Sequence, residues 1–190
     1  MTKKLLDRSA FEEGQLLLME GKIKESIEAF TSALEAGADP FMTHLSRGAA
    51  HMRLKETDAA VNDFDKAIEI ESGKPRPYYY RGMAFMVKSD YRKAADDFSK
   101  ALELDPNLLP ARFCRAISYS RSGRLDDAIG DFRDTIPEME AGLERFADNY
   151  GIIKTEMWKV MSQFSGEGET PGLELSFDEL ETLKKWLVEE

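Results

Sequence analysis

A period of 34 residues runs through the chain without insertion or deletion. Small residues recur as Gly14, Gly48, Gly82 and Ala116, and again as Ser26, Ala60, Ala94 and Ala128. A Phe series, Phe30, Phe64, Phe98 and Phe132, keeps the same register, as does the series Ala33, Ala67, Ala101 and Thr135. A unit this short cannot bury its own apolar faces, so a fixed period means like units stacked side by side. The stretch from Pro75 to Leu108 shows the pattern most completely.

Within each unit, apolar residues recur at helical spacing on two segments split by a short polar turn, which predicts a pair of helices. Gly21 and Gly123 fall at that turn and suit a left-handed helix C-cap. Asp39-Pro40, Lys74-Pro75 and Asp105-Pro106 mark the junctions between units, because proline cannot continue a helix interior. Small residues on both helices let the two backbones approach, and the Phe series fills the space between one pair and its neighbour.

Composition narrows the functional classes. With 42% hydrophobic and 33% charged residues over 190 positions, the chain fits a folded, helix-rich protein. A net charge of −10 argues against a nucleic-acid partner, whose phosphates need a basic face. The single cysteine, Cys114, cannot form an internal disulfide, which favours a reducing compartment. The basic residues near Met1 are not followed by an apolar stretch, and the longest apolar run is Leu16 to Met19, so neither a signal peptide nor membrane insertion is expected. The expected location is the cytoplasm.

The pattern resembles the tetratricopeptide repeat, with Gly or Ala on the first helix, Ala, Phe and Ala on the second, and Pro near the end. The resemblance implies an all-α fold, a right-handed α-solenoid of helix hairpins with C-terminal capping helices. The expected organisation is a tail at 1–6, four repeats within 7–136 (7–40, 41–74, 75–108 and 109–136), a cap at 137–164, a linker at 165–172 and an amphipathic helix at 173–190. The fourth repeat drifts at its end, where Thr135 and Pro137 stand.

A second series has the same period. Arg47, Arg81 and Arg115 recur on first helices and Asp63, Asp97 and Asp131 on second ones, while repeat one has Glu13 and Ala29 instead. Joint absence from repeat one predicts that each Arg pairs with the Asp of its own repeat; a solvated or inter-repeat role is the other reading. Beyond Pro137, Met139, Leu143, Phe146, Tyr150, Ile153, Met157, Met161 and Phe164 advance by three or four residues, as one helix or two. Near the C-terminus, Ser176 with Glu179 reads as a capping box, and Phe177, Leu180, Leu183, Trp186 and Leu187 form an apolar stripe. This last helix either packs beside the cap, docks in its own or a neighbour's groove, or stays free.

Catalytic and metal-binding patterns are missing from the sequence. His44 and His51 are the two histidines, on one helix, at positions where the resembled family carries aromatics; they read as imidazoles at the core edge. No Gly-rich phosphate loop and no Cys-x-x-Cys occurs, and Cys114 has no histidine within its own repeat. No enzyme activity, metal or cofactor is expected.

The resemblance further implies that the first helices line a concave groove where ligands lie. Carried over by position, repeat one contributes Phe11, Gln15 and Leu18, flanked by Arg8 and Met19. Repeat two contributes Met42, Leu45, Ala49 and Met52, with Arg53 beside them. Repeat three contributes Arg76, Tyr79, Tyr80, Met83 and Met86; repeat four contributes Phe113 and Ile117, with Cys114 and Arg121. So apolar a face points to a protein partner that presents an apolar or amphipathic segment, in a chaperone-like or adaptor-like role. One subclass of the family clamps the acidic C-termini of heat-shock chaperones with Lys, Asn, Asn, Lys and Arg. The matching places here hold Phe11, Gln15, Ser46, Arg76 and Tyr80, so only one cation survives. The competing expectation is a self-associating scaffold, joined through repeat ends or exchange of the last helix.

Overall fold

The computed structural model describes residues 9–135. The tail at 1–6, Arg8, the cap at 137–164, the linker at 165–172 and the amphipathic segment at 173–190 lie outside the described residues. The described chain is helical, in the order α1 (Ala10–Met19), α2 (Ile23–Glu35), α3 (Pro40–Arg53), α4 (Thr57–Ile70), α5 (Pro75–Val87), α6 (Tyr91–Leu104) and α7 (Leu109–Arg121). An eighth helical segment, α8, occupies 125–135. The architecture is an all-α solenoid in which each helix packs on the next and α1, α3, α5 and α7 also touch in series.

Local chemistry starts α1, α3, α5 and α6. Ser9 and Glu12 form a reciprocal capping box on α1. Asp39 accepts from the Met42 amide at 3.1 Å, and Pro40 takes the first position of α3. Pro75 opens α5 in the same way, and Asp90 accepts from the Lys93 amide at the start of α6.

The turn inside each hairpin has a left-handed residue at the same repeat position: Gly21 (φ 79°), Lys55 (φ 62°), Ser89 (φ 59°) and Gly123 (φ 83°). Two of these are not glycine, and their backbones carry the penalty that a Cβ brings in that region. The short connection leaves no other geometry, so the fold outweighs the local preference.

Phe30, Phe64 and Phe98 are wholly buried. Each lies against a glycine of its own hairpin: a Cβ built on Gly14, Gly48 or Gly82 would come within 2.7, 2.6 or 2.8 Å of the ring. The fourth hairpin has Ala116 at that place, and there Phe132 keeps part of its surface exposed. The core runs across hairpin boundaries. Phe64, Ala60 and Ala67 of α4 pack with Ala84 of α5, and Phe98, Ala94 and Ala101 of α6 with Ala111 of α7. Stacking therefore supplies the burial that one hairpin lacks.

Each periodic arginine meets the aspartate of its own repeat. Arg47 donates to both oxygens of Asp63 (2.9 and 2.7 Å), Arg81 to both of Asp97 (2.8 and 2.6 Å) and Arg115 to both of Asp131 (2.7 and 2.7 Å). The third arm of each guanidinium reaches the hairpin before: Thr31 Oγ1 at 3.0 Å, Asp65 Oδ1 at 2.6 Å and Ser99 Oγ at 3.3 Å. The intra-repeat and inter-repeat readings are thus both realised by one side chain.

Candidate functional site

The candidate site is the face of the first helices whose aromatic side chains rest on the Phe series. On α5, Arg76, Tyr80, Met83 and Val87 fall at offsets of four, seven and eleven and share one stripe, flanked by Tyr79 and Met86. The backbone on the other flank, at Gly82, meets Phe98 of α6. The equivalent stripes are Glu12, Gln15 and Met19 on α1, Met42, Ser46, Ala49 and Arg53 on α3, and Cys114, Ile117 and Arg121 on α7.

The residues expected in the groove divide by depth. Gln15, Met42 and Arg76 are exposed, and Met19 is 85% exposed. Phe11, Leu18, Ala49, Met52, Tyr79, Tyr80, Met83, Met86, Phe113 and Ile117 are half-buried. Leu45 differs: at 6% exposure it belongs to the core with Phe41 and Phe64 and supports the face from beneath. Val87, 60% exposed, was not foreseen, although its repeat position is that of Met19, Arg53 and Arg121 and the period alone identifies it.

Aromatic contacts hold this layer in place. Phe11 lies 5.8 Å from Phe30, Tyr80 stacks on Phe64 at 5.7 Å, Tyr79 tilts on Phe98 at 5.9 Å and Phe113 meets Phe132 edge-on at 5.7 Å. Such pairs add about 0.5–1.5 kcal/mol each beyond area burial, so they fix the orientation of these rings. Burial pushes the Tyr79 hydroxyl up to about 12, and the Cys114 thiol, 3.6 Å from Met83 Sδ, likewise up to about 12. Both groups stay neutral at physiological pH.

Charge is segregated between the two layers of helices. α3, α5 and α7 contain no aspartate or glutamate, whereas α4 carries Asp58, Asp63, Asp65 and Glu69. The second helices thus hold acidic residues that the first helices of repeats two to four lack. Arg53 donates to the Leu18 carbonyl at 2.8 Å, joining the ends of α3 and α1, and pairs with no carboxylate among the described residues. Arg76 is exposed and likewise has no ion-pair partner there.

Repeat two carries a polar cluster below the face. His44 Nδ1 lies 2.9 Å from Asp63 Oδ1, and His51 places Nδ1 2.6 Å from Glu56 and Nε2 3.8 Å from Asp63 Oδ2. Repeat three has Tyr78 and Phe85 at these positions, on either side of Arg81 at 5.8 and 6.0 Å. The histidines do take aromatic positions, but as hydrogen-bonding groups, His44 to the buried Asp63 and His51 to the exposed Glu56. Among the described residues no group of His, Cys, Asp and Glu is arranged to hold a metal ion.

Comparison with known proteins accords with this geometry. Two profiles described as tetratricopeptide repeat match residues 11–77 and 75–108. The chain belongs to the tetratricopeptide repeat family, a family of protein–protein interaction modules that are typically non-catalytic. No curated protein sequence matches it. Among solved structures, MamA is 19% identical with a TM-score of 0.65, covering 71% of this chain and 79% of that one. MamA from Desulfovibrio magneticus RS-1 gives the same identity of 19% and TM-score of 0.65, over 70% and 75% of the two chains. The first repeat domain of Spaghetti (RPAP3), bound to the HSP90 peptide SRMEEVD, is 25% identical with a TM-score of 0.50, covering 63% and 86%. No helix among the described residues is long and apolar enough to cross a membrane.

Proposed function

We propose that the first-helix face is a concave groove that binds an apolar or amphipathic segment of a protein partner, in a chaperone-like or adaptor-like role in the cytoplasm. One observation carries the reading: Met19, Met42 and Val87, large apolar side chains, stand exposed on the same stripe of successive first helices. Exposed apolar surface in register is what a protein ligand would cover, and unbranched methionines adapt to more than one shape. The groove is assigned no catalytic role.

That the first repeat domain of Spaghetti (RPAP3) is bound to the HSP90 peptide SRMEEVD supports a peptide ligand for this fold, but does not say which one. Of the five clamp places, this chain keeps a cation only at Arg76, so SRMEEVD itself should bind far more weakly than an apolar segment. The test is selection of displayed fifteen-residue peptides on the purified chain. Enriched sequences should be apolar at helical or alternating spacing and should lose at least tenfold in affinity for the double variant Met42→Glu, Val87→Glu. Both positions are solvent-facing, so circular dichroism and the melting curve should stay unchanged. Equal affinity for the variant would refute the groove.

Self-association is the second reading. Leu16 is 36% exposed, while its counterparts Ala50, Ala84 and Ser118 are wholly buried, Ala84 against α4 of the hairpin before it. Size that grows with concentration on light scattering and reverts in Leu16→Glu would favour a scaffold joined through this end.

A further inference from the structure

The distribution of charge on the groove points to its occupant. The first helices of repeats two to four have no carboxylate, and Arg53 and Arg76 stand on them without carboxylate partners among the described residues. A ligand that satisfies this face needs an apolar stripe and acidic flanks. The chain itself contains such a segment. At 173–190 the stripe Phe177, Leu180, Leu183, Trp186 and Leu187 is bordered by Asp178, Glu179, Glu181, Glu189 and Glu190, against Lys184 and Lys185 alone.

We infer that residues 173–190 bind the first-helix face of their own chain, so that the groove carries an internal competitor. The inference rests on the groove reading above and adds to it the identity and sign of the occupant. The intramolecular form is favoured by concentration. A tethered segment experiences an effective concentration of order millimolar, which outweighs the same segment on another molecule at micromolar concentration. The eight residues at 165–172 can extend to roughly 25–30 Å, so the tether itself does not hold the segment against its own N-terminal neighbour. A partner would then gain access by displacing the segment, and its apparent affinity would be reduced by the fraction of chains in which the groove is closed.

The experiment uses the full chain and a synthetic peptide of residues 173–190 as probe. Unaltered chain should bind the peptide weakly. Leu183→Glu with Trp186→Glu, which empties the groove, should bind it at least tenfold more tightly. Adding Arg53→Glu and Arg76→Glu to that variant should remove most of the gain, and raising salt from 0.15 to 1 M should weaken binding severalfold. Equal peptide affinity with and without the Leu183 and Trp186 changes would overturn the inference, as would indifference to charge reversal. A dimer that requires residues 173–190 would also overturn it, by showing exchange between chains.

A second measurement guards against misfolding at the substituted end. With Trp158→Phe leaving Trp186 as the sole tryptophan, acrylamide quenching should be low and should rise severalfold on Arg53→Glu, Arg76→Glu. Quenching that is high from the outset, or that ignores the reversal, counts against the proposal. If selected peptides still respond to Met42→Glu, Val87→Glu while Trp186 does not respond to charge reversal, the groove stands and only its internal occupant falls.

Discussion

Arg81 grips Asp97 with two parallel hydrogen bonds, Nε to Oδ2 at 2.8 Å and Nη2 to Oδ1 at 2.6 Å. Asp97 is 6% exposed, and the guanidinium lies between Tyr78 and Phe85. Removing one partner strands a charge in a poorly hydrated place, whereas replacing both does not. Arg81→Met, which leaves the buried Asp97 carboxylate without its partner while Arg81 itself would have kept Asp65, should therefore lower stability by about 3 kcal/mol in urea unfolding, and adding Asp97→Leu should recover most of that loss. A double variant as unstable as the single one would show that the pair contributes more than mutual neutralisation.

Packing at Gly82 leaves no room for a methyl group, since a Cβ would sit 2.8 Å from the Phe98 ring. Gly82→Ala should cost about 1–3 kcal/mol through overpacking, despite the better helix propensity of alanine. Gly82→Leu should abolish a sharp melt. Phe98→Ala, the inverse change, should cost about 3–5 kcal/mol through the cavity it leaves. Thermal melts followed at 222 nm would measure all three.

Lys55 and Ser89 hold left-handed backbones with φ of 62° and 59°. Lys55→Gly and Ser89→Gly relieve a strain of about 1–2 kcal/mol while adding about 0.5–1 kcal/mol of unfolded-state entropy. Each should raise stability by about 0.5–1 kcal/mol, and Gly21→Ala should lower it by a similar amount. Glycine variants that melt below the parent would mean that the turns are unstrained.

Alkaline pH should weaken the fold through Cys114 and Tyr79. Their ordinary values of 9.0 and 10.0 both rise to about 12 on burial. An acid harder to ionise when folded supports stability below its unfolded pKa and withdraws that support as pH climbs towards the folded one. Between pH 9 and 12 stability should fall progressively as the thiol ionises in the unfolded chain, with a smaller contribution from the phenol above pH 10. Cys114→Ala should flatten the first part of that decline. At pH 8, Cys114 should also resist thiol reagents until denaturant is added.

Much of this was legible because the signal repeats. Four copies in register placed the Phe rings and their glycines, and the joint absence of Arg and Asp from repeat one revealed the pairing. What escaped did so for specific reasons. The third arm of each arginine ends on Thr31, Asp65 or Ser99, three residue types that no single-residue series would connect. Lys55 and Ser89 hid the left-handed turns because the expected glycine is missing from two of the four. Leu45 passed for groove because its stripe is shared, yet Phe41 and Phe64 hold it inside. His44 and His51 occupy aromatic places, and only coordinates show them turned towards Asp63.

Each arginine clasps its own hairpin and the one behind it. The joints of the rod are consequently linked like vertebrae that share ligaments, and no hairpin can rock without dragging its predecessor. Melting should then proceed as one event through the middle of the chain, and a damaged joint should soften neighbours on both sides.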